Sequence, residues 1–149
     1  MKIKYLVSLF AVLSLFSCQK EEEPEFKPVQ SGYVGIVTVT YQGSDFDNDD
    51  IMVYFTPSDD GQTASITIHK IRFVPQMPVT IDVTIPDVSM KTNGTEALLS
   101  CDNVVPQAMG GDYPRYLVTG LTGKVTGSGL SFSLKFGDFP TSFTGTLAE

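Results

Sequence analysis

The densest run of ligating side chains in this chain is Asp45-Phe46-Asp47-Asn48-Asp49-Asp50, whose carboxylates begin at the alternate spacing that opens a calcium loop. A calcium loop between two helices also needs glycine at its sixth position and a bidentate glutamate at its twelfth. Asp50 and Thr56 stand there instead, so the run is expected to be a solvated turn between two strands. His69 is the single histidine, and Cys18 and Cys101 are the only cysteines. Zinc needs three or four nitrogen, sulfur or oxygen ligands, with His or Cys usually paired at short spacing. No metal and no cofactor is therefore expected. No partner group stands at a spacing that suggests a Ser-His-Asp triad. Asp and Glu are plentiful, but nothing singles out a pair for glycoside hydrolysis. The chain reads as a non-enzyme with no catalytic residue. Cys101 follows Ala97-Leu98-Leu99-Ser100 and reads as a small core residue rather than a reactive thiol.

Cys18 has a different context. Lys2 and Lys4 form a positive start, Tyr5 to Phe16 an apolar core, and Ser17 and Cys18 follow at once. That core is shorter than the roughly 20 residues a helix needs to cross about 30 Å of hydrocarbon, so it reads as a cleaved secretory signal, residues 1–17. Leu15-Phe16-Ser17-Cys18 resembles the bacterial lipobox, which implies diacylglycerol on the Cys18 sulfur and further acylation, such as palmitate, of the new N-terminus. Several acyl chains on one residue make a lasting membrane anchor where a single chain holds only marginally. Residues 18–30, with Gln19-Lys20-Glu21-Glu22-Glu23-Pro24-Glu25 directly after the cysteine, are too polar to bury themselves and read as an acidic tether. Gln-Lys before an acidic run also resembles the export signal of surface lipoproteins in the Bacteroidetes, which implies an outer-membrane protein facing outward.

The formal net charge is −7, and it falls by two more once Lys2 and Lys4 leave with the signal. Nucleic acid needs a basic stripe, which this chain lacks, so no nucleic-acid partner is expected.

Residues 31–149 carry a period of two. Val79, Ile81, Val83 and Ile85 alternate with Thr80, Asp82 and Thr84; Leu130, Phe132, Leu134 and Phe136 alternate with Ser131, Ser133 and Lys135. Such segments are half-buried strands. Further strands are expected over 32–41, 50–56, 63–73, 97–101, 115–121, 124–126 and 142–147, which are rich in Val, Ile, Thr, Tyr and Phe. Ser58-Asp59-Asp60-Gly61, Asn93-Gly94 and Gly127-Ser128-Gly129 supply turn chemistry. By the same alternation His69 faces outward with Ser65 and Thr67. The expected class is all-β, about eight antiparallel strands in a sandwich or a small up-and-down barrel. Asp102 to Pro114 exceeds the ~4–6 residues usual for a connection and reads as a loop that could lie over a barrel mouth.

From Tyr33 onward the chain resembles the calycin-like, lipocalin-like domains of small Bacteroidetes lipoproteins. The resemblance rests on Gly32-Tyr33-Val34-Gly35-Ile36-Val37-Thr38-Val39, on Ile66 to Phe73, and on Tyr116 to Gly127 with Leu130 to Phe136 and Phe143 to Leu147. The chain departs from lipocalins in having no Trp. The resemblance implies an up-and-down β-barrel. An eight-stranded barrel holds either one small ligand or its own side chains. The first reading is a binding module for a small apolar or amphipathic ligand, with Tyr33, Phe55, Met109, Tyr113 and Phe132 as ligand-binding candidates. The alternative is a surface interaction lipoprotein with a filled barrel, binding a protein or glycan.

Overall fold

The computed structural model describes residues 26–148. Cys18 and the acidic run up to Glu25 lie outside the described residues. Eight long strands follow one another up and down: β1 (Ser31–Tyr41), β2 (Ser44–Pro57), β3 (Thr63–Ile71), β4 (Ile81–Asn93), β5 (Glu96–Cys101), β8 (Val118–Thr126), β9 (Gly129–Phe136) and β10 (Phe139–Leu147). A short hairpin, β6 (Gln107–Ala108) and β7 (Gly111–Asp112), interrupts the series between β5 and β8. Each long strand pairs antiparallel with the next, and β10 returns to β1 with Tyr33 opposite Leu147 and Val39 opposite Thr141. The sheet is thus closed, which leaves the long strands no free edge. It is an eight-stranded antiparallel barrel of the shape expected for a calycin-like domain.

Strict alternation puts Val37, Val53, Phe55, Ile66, Ile68, Val83, Ile85, Phe136 and Phe143 inside at 0–1% exposure. Thr, Ser, Asp and Lys stand between them on the outer wall, the reverse of an outer-membrane barrel, whose outer wall is apolar. The Phe132 and Phe143 rings pack inside at 5.5 Å. Gly145 makes room for this pair: a Cβ there would collide with the Phe143 ring.

Because neighbours are antiparallel, the connections sort to two ends. One end carries the start of β1, the β2–β3, β4–β5 and β8–β9 turns, and the end of β10. Phe26, where the described chain begins, is tied there by its N–H to the Gly94 carbonyl at 3.0 Å. The far end carries the β1–β2 turn, residues 72–80, the connection holding β6 and β7, and the β9–β10 turn. Phe73 seals that end, its ring 4.2 Å from Tyr116, 5.2 Å from Phe136 and 5.8 Å from Phe139.

Four expectations need correction. The acidic run is part of β2, not a turn: Phe46 and Asn48 face inward, while Asp45 and Asp47 accept hydrogen bonds from Thr40 and Thr38, each at 2.7 Å. The turn lies earlier, at Gln42-Gly43, where φ of 52° and 79° gives the twist a two-residue hairpin requires. Asn48 substitutes for a missing backbone partner, its side chain donating to Arg72 O at 3.1 Å and accepting from Arg72 N at 2.9 Å. Residues 115–121 and 124–126 are not two strands; β8 runs through 118–126 with an irregularity between Thr119 and Thr122, and Arg115 lies in a single 3-10 turn, Pro114–Tyr116. Val79 lies before β4 and is 61% exposed, and β4 runs on past Pro86 to Asn93. The Asp102–Pro114 connection is not a free loop: its middle folds into the β6–β7 hairpin against β4, and only its last part, at Tyr113, joins the aromatic packing that closes this end.

Candidate functional site

The site grows from an irregularity in β3. Between Ile68 opposite Val83 and Ile71 opposite Ile81, two residues face one: His69 and Lys70 stand across from Asp82. Lys70 adopts φ 61°, so the bulge turns two consecutive side chains toward the outside and returns Ile71 to the core at 0% exposure. Asp82 accounts for the bulge. Its Oδ1 accepts the Lys70 N–H at 2.9 Å and lies 2.9 Å from His69 Nδ1. A carboxylate only accepts, so Nδ1 carries the proton of this contact. On the next rung the Thr67 and Thr84 hydroxyls meet at 3.0 Å, and the Tyr54 ring stands edge-on to His69 at 6.4 Å.

The hairpin forms the other wall. Ala108 pairs with Val83 and Gln107 with Thr84, extending the sheet beside the first part of β4, above the stretch that β5 covers. Met109 and Gly110 turn it with φ of 53° and 86°. Ala108 anchors it at 6% exposure, while Met109 projects at 66%. Gln107 Nε2 donates to Asp112 Oδ1 at 3.3 Å, and Tyr113 N donates to Pro106 O at 2.9 Å.

Between these walls lies an open cleft of about 840 Å³ on the outside of the barrel. His69, Lys70, Asp82, Gln107 and the Thr80 and Thr84 hydroxyls supply its polar groups, and Val79 and Met109 its exposed apolar rim. Apolar surface with a few placed polar groups is the usual make-up of a ligand site. Clefts of about 390 to 470 Å³ also lie elsewhere on the described residues.

The interior contrasts with this. Tyr33, Phe55 and Phe132 are core residues at 3%, 0% and 3% exposure. Among the described residues no buried side-chain nitrogen or oxygen lacks a partner, so no orphaned polar group inside awaits a ligand. Burial pushes the Tyr33 hydroxyl above the usual tyrosine range, against a smaller opposing effect from Ser31. Tyr113 is half-buried against Tyr116 at 4.9 Å, in the aromatic seal rather than the cleft. Of the five ligand-binding candidates, the cleft contains Met109 alone. The His69–Asp82 pair escaped sequence reasoning, although one signal was present: Asp82 is the only charge in the outward row Thr80, Asp82, Thr84. Lys70 gave none, since alternation places it inside.

Among the described residues no group of three or more His, Cys, Asp or Glu is arranged to hold a metal ion. Cys101 is half-buried, and its thiol is pushed up to about 11, first by burial and then by the charges of Asp102 and Asp87. It is therefore not a ready nucleophile. No family model, no curated protein and no solved structure matches the chain.

Proposed function

We propose that the protein is a lipid-anchored, surface-exposed lipoprotein of the outer membrane whose calycin-like barrel binds a small amphipathic ligand without catalysing a reaction. The ligand site is the outer cleft rather than the barrel interior. One observation carries this: side chains occupy the interior, whereas the cleft of about 840 Å³ pairs exposed Val79 and Met109 with polar His69, Lys70 and Gln107. Orientation supports it. The described chain begins at the end opposite to the hairpin, so a tether from lipidated Cys18 holds that end to the membrane and presents the cleft outward. Native mass spectrometry of protein purified from its own membranes tests the reading. A co-purifying small molecule that is lost in Met109→Asp or Val79→Asp and kept in Phe132→Leu is expected. A molecule lost only in Phe132→Leu places the ligand inside the barrel.

A second reading, a protein or glycan partner bound by the outer wall, is favoured by one patch. Ile36 and Tyr54 are 45% and 43% exposed on adjacent strands, with half-buried Val34 and Met52 between them.

A further inference from the structure

The cleft has a polarity of its own, and it bears on which ligands fit. On its β3 side the bulge turns the Lys70 side chain to the outside of the barrel, and among the described residues the Lys70 ammonium takes part in no ion pair. The carboxylate that lines the cleft, Asp82, turns its Oδ1 to the His69 ring N–H and the Lys70 backbone N–H rather than to the Lys70 ammonium. Val79 and Met109, the most exposed apolar side chains around the cleft, form the other part of its lining. We infer that the cleft binds a free, single-chain amphipathic anion, with its carboxylate or phosphate head at Lys70 and its chain across Val79 and Met109.

This rests on the ligand-binding reading and adds the headgroup. Lys70 is the one lysine or arginine lining the cleft, and its ammonium, outside any ion pair among the described residues, gives the cleft a positive contact in a protein of formal net charge −7. The bulge keeps Lys70 from its regular inward position, so the charge is presented by backbone geometry and not by chance rotation of a long side chain. A free amphiphile is favoured over a lipid in the bilayer because the cleft lies at the far end from Phe26, where the chain leaves toward its anchor.

The test is amide NMR titration of the soluble chain lacking residues 1–18 with four probes of equal chain length: octanoate, octyl phosphate, octanol and octylamine. Octanoate and octyl phosphate are expected to shift the amides of Lys70, Asp82 and Ala108 and to bind roughly fivefold more tightly than octanol, the size of one exposed charge pair. Octylamine binds most weakly. Lys70→Gln brings octanoate to the affinity of octanol, Lys70→Arg restores the difference, and Met109→Ser weakens all probes together. Equal binding of octanol and octanoate at these same amides, unchanged by Lys70→Gln, overturns the headgroup assignment and leaves the cleft as a ligand site. No shift at these amides from any probe overturns both. Binding only to vesicles containing phosphatidylglycerol overturns the free amphiphile.

Discussion

Truncating Phe132 to alanine tests whether the barrel is filled by its own side chains. The ring is 3% exposed on β9, packs on Phe143 at 5.5 Å and stands across from Gly123, which offers no side chain to fill a gap. In a closed barrel the surrounding strands cannot move together one at a time, so the space left by the ring stays largely open. The cost is the lost transfer energy of the ring plus the cavity, about 3–5 kcal/mol. For a domain of this size, with unfolding entropy of roughly 2 cal/mol/K per residue, that lowers Tm by about 12–20 °C. Ser133, the next residue, is exposed, and its change to alanine stays within about 0.5 kcal/mol. Urea unfolding followed by circular dichroism, on soluble protein lacking residues 1–18, measures both. A loss under about 1 kcal/mol for Phe132→Ala means that the ring bordered a pre-existing void and that the barrel is not filled. A costly Ser133→Ala would invert the facing of β9.

Three further outcomes rest on single groups. Cys101, pushed up to about 11, ionises first in the unfolded chain, so its contribution to stability is complete below about pH 9 and is lost as pH rises to 11; Cys101→Ala flattens that fall in urea midpoints, and native protein alkylates slowly at pH 8. Asp82→Ala removes the acceptor for His69 Nδ1–H, so ¹⁵N NMR of the neutral ring shows the proton on Nδ1 in the natural protein and on Nε2 in the variant; Nε2–H in both refutes the pair. Cys18→Ser leaves no sulfur for diacylglycerol, so precursor accumulates uncleaved or misplaced, and detergent partitioning of a mature Cys18→Ser protein would refute the lipobox.

The barrel was legible because alternation is a direct image of a two-faced sheet. Ile81, Val83 and Ile85 set against Asp82 and Thr84 already name the inner and outer walls, and His69 lay outward as its parity required. What stayed hidden was each place where the backbone breaks period. The bulge at His69-Lys70 depends on a hydrogen bond to Asp82 on the next strand, so no local pattern announces Lys70 at the surface. The acidic run looked like a turn because Asp and Asn favour turns. In the barrel, Thr38 and Thr40 across the rung bond two of its carboxylates, Asp47 and Asp45, and Asn48 turns inward to hold Arg72. The β6–β7 hairpin was unreadable for a similar reason: it has two residues per strand, and β4 supplies its stability. Three of the five ligand-binding candidates, Tyr33, Phe55 and Phe132, were inward aromatic residues, which a filled barrel uses for packing.

The central claim is that this barrel binds on its outer wall while its interior is occupied. Intermolecular NOEs between octanoate and methyl-labelled protein test it most directly. Contacts from the alkyl chain to the Val79 and Met109 methyls are expected, with none to Val37, Ile66 or Val83. Contacts to those interior methyls, with Val79 and Met109 silent, would contradict it.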